Sequence, residues 1–86
     1  MDILLATLPE SLLRFVEDQL SNNDVSPDDE LLDHFIANGL TDEQARQALT
    51  YRDRYSANIY LDGFTPIRKA GEALRLNPHT RQFEPD

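Results

Sequence analysis

The chain has 86 residues, no cysteine and a formal net charge of −8. That length makes one domain near the small end of what folds alone. The missing cysteines exclude a disulfide framework and a thiolate metal site. No apolar run approaches the ~18 residues of a membrane span. The stretch MDILLATLPE carries Asp2 where a secretory leader is basic, so the expected compartment is the cytoplasm.

Charge is unevenly spread. Residues 1–43 hold one basic side chain, Arg14, and eleven acidic ones, a balance of −10; residues 44–86 hold seven basic and five acidic, a balance of +2. The plain reading is a solvated acidic surface. The functional reading is an acidic face that meets a basic partner. An acidic first half argues against DNA docking there, because nucleic-acid affinity comes largely from Lys and Arg neutralising phosphates.

Taken in order, Ile3, Leu4, Leu5 and Ala6 make a short apolar run that periodicity leaves open between a strand and a first helical turn. Thr7 and Glu10 stand at capping-box spacing with Pro9 between them, which predicts a helix start. Leu12, Leu13, Val16 and Leu20 give that helix one apolar face, with Phe15 at its margin and Ser21-Asn22-Asn23 as its end. Ser26-Pro27 predicts the next start, with Ser26 as cap; Leu31, Leu32, Phe35 and Ile36 form the apolar face. Asn38-Gly39-Leu40 then reads as a glycine C-cap closed by an apolar residue.

Thr41 to Gln44 is a second capping box, and Ala45, Ala48 and Leu49 form the stripe behind it. Tyr51, Arg52, Tyr55, Ile59 and Tyr60 carry a helix-compatible pattern on to the Asp62-Gly63 turn, with Phe64 expected to plug the core. Thr65-Pro66 predicts one more helix, with Ile67, Ala70, Gly71 and Leu74 on one face and Leu76-Asn77-Pro78 as its end. The expected fold is therefore mostly α. It is a bundle of about four helices in one domain over residues 1–77, with residues 2–7 open to a short leading strand and 78–86 as a coil tail.

The stretch Leu8 to Leu32, LPESLLRFVEDQLSNNDVSPDDELL, resembles the ribbon-helix-helix antitoxins of the ParD type. Leu8, Pro9, Glu10, Leu12, Phe15, Val16, Glu17, Leu20, Ser26, Glu30, Leu31 and Leu32 fall at matching places without a gap. The resemblance implies an intertwined dimer, a two-stranded DNA-reading ribbon and a C-terminal segment that wraps a toxin. Here the outward ribbon residues are Ile3, Leu5 and Thr7, which offer little to a base edge or phosphate. Partner-protein binding survives that departure better than DNA reading does. Leu31 to Leu49 also looks like the first two helices of a ubiquitin-associated-type module.

Among candidate sites, Asn22, Asp24, Ser26, Asp28, Glu30 and Asp33 have something of the spacing of a calcium loop, but Pro27 stands where such a loop needs glycine. His34 and His79 are far apart and have no neighbouring ligand at metal spacing. No nucleophile–base pair and no phosphate-cradling glycine loop stands out, so neither an enzyme nor a cofactor is expected. Arg46, Arg52, Arg54, Arg68 and Lys69, with tyrosines interleaved, form a candidate nucleic-acid surface. The alternative is that these cations pair with the acidic first half.

The reading that emerges is a small acidic regulator, most like an antitoxin-type inhibitor. It presents Glu17, Asp18, Asp28, Asp29, Glu30 and Asp33 to a basic protein partner. A homodimer is a further expected partner state. A DNA-binding repressor and a helical adaptor in a larger complex are the competing functions.

Overall fold

The fold is given by a computed structural model that describes residues 1–86. Helix α1, Glu10–Asn22, sends Leu13, Val16 and Leu20 into the interior at helical spacing. Its start differs from the expected capping box: Pro9 is the cap residue and no side chain caps it. Thr7 instead accepts a hydrogen bond from the side chain of Gln44 at 3.1 Å. The helix ends where expected, but Asn23 is extended (φ −91°, ψ 95°) rather than left-handed. Its side-chain oxygen accepts from the Ser26 amide and orders the following loop.

Helix α2 runs Asp28–Ala37 and buries Leu31 and Phe35. Ser26 does not cap it; its hydroxyl accepts from Asn23 instead, and Pro27 is the cap residue. Three acids in the first turn, Asp28, Asp29 and Glu30, offset the positive end of the helix dipole. Ile36, expected on the inner face, is 38% exposed. The C-terminus follows the sequence reading. Gly39 has φ +121°, its amide donates to Ile36 and the Leu40 amide donates to Phe35, a Schellman closure with Leu40 buried.

Helix α3, Asp42–Leu49, begins with the expected capping box: the Thr41 hydroxyl accepts from the Gln44 amide, and the Gln44 side chain accepts from the Thr41 amide. It does not continue to residue 60. The chain turns at Thr50-Tyr51 and restarts as α4, Arg52–Ala57. The Thr50 hydroxyl donates to the Gln47 carbonyl at that break, competing with the helical ladder.

The largest correction lies beyond residue 57. Residues 65–73, expected as a helix, form successive turns. Gly71 sits at φ +79°, so it serves a turn rather than a helix contact. Leu74–Asn77 is strand β1, and Gln82–Pro85, expected as coil, is strand β2. They pair antiparallel, with Arg75 opposite Glu84 and Leu76 opposite Phe83. Tyr60 adds a single antiparallel bridge to Arg75, so residues 59–61 lie along the other side of β1. The tail is thus part of the fold. Phe64 does not plug the core; it is 37% exposed beneath the Lys69 ammonium.

Residues 2–7 form turns, neither strand nor helix. Asp2 explains this. One of its carboxylate oxygens accepts from the Leu4 and Leu5 amides, and the other accepts from the Gln47 side chain (2.7 Å) and the Tyr51 hydroxyl (2.6 Å). Leu5 is thereby driven fully into the core beside Phe35, Leu13 and Leu31. The result is mostly α, with one core shared by all four helices and a small sheet at the C-terminal end. No helix is long and apolar enough to cross a membrane.

Candidate partner-binding surface

The acidic residues singled out by sequence divide into two kinds. Glu17 is not a surface group: its carboxylate accepts from the Tyr55 hydroxyl and from the Arg68 guanidinium, both at 2.6 Å. The Glu17–Arg68 pair is largely covered, with side chains 13% and 19% exposed. Burial, together with the Glu17 carboxylate, pushes the Tyr55 phenol far above its ordinary range. Asp28 is exposed but pairs with Arg52 at 2.6 Å. Asp18, Asp29, Glu30 and Asp33 are exposed and hold no cation; Asp18 accepts only from Asn22. Asp24, in the loop before α2, belongs with them.

The candidate nucleic-acid residues are nearly all spent within the chain. Arg46 pairs with Asp42, Arg52 with Asp28, Arg54 with Asp86, and Arg68 with Glu10 and Glu17. Arg52 also donates to the Asn23 and Ser26 carbonyls, tying α4 to the loop before α2. Arg68 is the most committed. Hydrogen bonds to Glu10 and then Glu17 outweigh its desolvation and hold its pKa well above the usual guanidinium value. The same Arg68 contact lowers the Glu10 carboxyl. Only Lys69 of this group lacks a carboxylate partner. The five residues are spread over α3, α4 and the 65–73 turns.

One concavity stands out. A cleft of about 890 Å³ runs between the outer face of α1 and residues 58–62. Arg14, Asp18, Ser21 and Asn22 wall it on the α1 side, and Asn58, Ile59, Tyr60 and Asp62 on the other. Tyr55, Glu17 and Arg68 also line it. A second, shallower depression of about 410 Å³ is lined by Asp24, Asp28 and Asp53, and the two share Ser56. The sequence reading missed this cleft because it continued a helix through residues 58–62. The run Ile59-Tyr60-Leu61, with its β-branched and aromatic residues, before the Asp62-Gly63 turn is the available signal for an extended segment. No group of three or more His, Asp or Glu side chains is placed to hold a metal ion.

Comparison with protein-family models, with characterised proteins and with solved structures yields no match to this chain.

Proposed function

We propose that this protein is a small non-enzymatic regulator that binds a basic protein partner through the acidic surface of α2 and its preceding loop, acting as an antitoxin-type inhibitor. One observation supports this most directly. Arg14, Arg46, Arg52, Arg54, Arg68 and Arg75 each hold a carboxylate of the same chain, whereas Asp24, Asp29, Glu30 and Asp33 hold no cation. Internal pairing therefore engages every arginine except Arg81 and leaves four carboxylates of α2 and its preceding loop without a cation. Such carboxylates steer a basic partner and select against acidic ones more than they add raw affinity. Nucleic-acid binding has weaker support, since Arg46, Arg52, Arg54 and Arg68 would have to break ion pairs to reach phosphate.

The test is co-expression. A small basic protein captured with this chain at low salt should arrest growth when expressed alone and cease to do so beside the wild type. The triple variant Asp29→Asn, Glu30→Gln, Asp33→Asn should relieve that arrest poorly, and association should weaken steeply between about 0.05 and 0.5 M salt as screening shortens. Association indifferent to salt and to the triple substitution would refute the acidic-surface reading.

A further inference from the structure

We infer that the cleft between α1 and residues 58–62 takes up an extended, basic segment of the protein partner as an added β-strand. This rests on the reading that the partner is a basic protein, and it names the place where one segment of it docks.

The first observation is a free backbone edge. Ile59 and Leu61 spend their inward groups on β1: the Leu76 amide donates to the Ile59 carbonyl at 2.7 Å, and the Leu61 amide to the Leu74 carbonyl at 2.9 Å. In an antiparallel ladder the alternate residues turn their amide and carbonyl the other way. Those residues are Asn58, Tyr60 and Asp62. None of their backbone N–H or C=O groups forms a hydrogen bond within the chain. Asn58 is already extended, at φ −136° and ψ 154°. All three residues line the cleft, so the unpaired edge lies in a concavity rather than on a convex rim.

The second observation is which charges in the cleft are free. Arg14, Arg68 and Arg75 line it, but each is paired, with Glu10, with Glu10 and Glu17, and with Glu84. Asp18 and Asp62 line it without a cation. The adjoining depression beyond Ser56 adds Asp24 and Asp53, also without one. The third observation is apolar. Ile59, 66% exposed, and Leu76 on β1 beside it both line the cleft.

Together these features describe the occupant. A helix satisfies its own backbone and has nothing to offer the free groups at 58, 60 and 62. A second copy of this chain brings a net charge of −8, and its edge strand β2 carries Pro85, which has no amide to donate. A foreign extended segment of alternating basic and apolar side chains satisfies all three observations. Its backbone pairs with the edge, one row of side chains meets Asp62 and Asp18, and the other meets Ile59 and Leu76. Strand addition of this kind takes affinity from main-chain bonds and selectivity from alternate side chains.

The test uses the full 15N-labelled chain and the synthetic peptide Ac-Lys-Val-Arg-Val-Lys-Val-NH2. Titration should shift the amides of Asn58, Tyr60 and Asp62 saturably and slow exchange of the Tyr60 amide at least tenfold. Asp62→Pro should weaken binding at least tenfold, and Asp62→Asn less. Gly63 at φ +83° makes residues 61–64 a type II turn, in which position 62 accepts proline, so the variant keeps the fold while losing one edge amide. Ser21→Trp, filling the cleft from the exposed side of α1, should abolish binding without touching the sheet. Wild-type affinity in both Asp62→Pro and Ser21→Trp would overturn strand addition. Shifts confined to residues 24–33 would overturn it too, while leaving the basic-partner reading intact. A peptide that shifts nothing also overturns it, and the salt-dependent co-expression test then decides the broader reading alone.

Discussion

Between Leu5 and Tyr55 the buried side chains form one connected apolar core, to which Leu5, all four helices and Leu40 contribute. Between Asn58 and Asp86 only Pro66, Ile67 and Ala73 are buried. That second region sends only Ile67 into the same apolar core and otherwise holds its place by polar anchors. Arg68 reaches back to Glu10 and Glu17, and Asp86 accepts from Arg54 and Tyr60 and approaches Arg75. One small domain is thus stabilised in two ways. Apolar burial makes the helical part cooperative. Ile67 and a few directed hydrogen bonds tie residues 58–86 to it, so the sheet is expected to open at lower free energy than the helices. The free strand edge belongs to that second region, and the cleft lies between it and α1.

The strongest way to break the contrast is through the core. Phe35→Ala deletes the largest fully buried side chain and should cost about 3–5 kcal/mol in denaturant unfolding, taking both regions down together. If the sheet amides stayed protected after the helices had melted, the dependence of the sheet on the helical core would be wrong.

Arg68→Ala should cost about 1.5–3 kcal/mol, because it strips a charge-assisted bond from the covered Glu17 carboxylate. NMR shifts should concentrate in residues 58–86 and on the Glu10–Glu17 face of α1, and Arg68→Lys should recover only part of the loss, since an ammonium lacks the guanidinium fork.

Asp2 and Tyr51 test the helical part by pH: the Asp2 side chain ties residues 1–5 to Gln47 and Tyr51, and only its amide reaches the second region, at the Ile67 carbonyl. Burial alone would raise the Asp2 carboxyl, but bonds from Tyr51, Gln47, Leu5 and Leu4 prevail and lower it below 3.8. Its contribution is therefore present above pH 3.8 and is lost as pH falls through the lower folded value. Burial and the Asp2 carboxylate push the Tyr51 phenol from 10.0 up to about 12. The neutral phenol is the form favoured in the fold, so its contribution is full below pH 10.0 and is lost towards about 12. Asp2→Asn and Tyr51→Phe should each cost about 1 kcal/mol at pH 7. Asp2→Asn should flatten the acid limb of the stability–pH curve, and Tyr51→Phe the alkaline limb. An unchanged limb in either variant would show that the bond does not couple to folding.

The smallest effect is expected from Asp86→Asn, at less than about 1 kcal/mol, because its ion pairs are partly exposed. Hydrogen exchange should quicken at Arg75 and Glu84 while the Val16 and Phe35 amides keep their protection. Equal acceleration at both sets would mean that the two regions open as one.

What the sequence determined by itself lies in short-range chemistry. The Thr41–Gln44 capping box, the Gly39-Leu40 closure and the inward stripes of Leu13, Val16 and Leu20 are set by residues three to five positions apart, so they were legible without tertiary context. The uneven charge was equally legible. Tertiary structure decided the rest. Thr65-Pro66 has the local look of a helix start, yet Leu74-Arg75-Leu76 is a strand, paired with residues 82–85 across a short hairpin and with residues 59–61 from an earlier stretch of the chain. Asp2 makes turns of residues 2–7 because its acceptors meet Gln47 and Tyr51, some 45 residues away. Glu17 reads as a surface acid on its own helix and becomes a covered anchor only when Arg68 and Tyr55 close over it. Local propensity is a sum of small terms, and a single long-range bond or ladder outweighs it wherever the chain returns on itself.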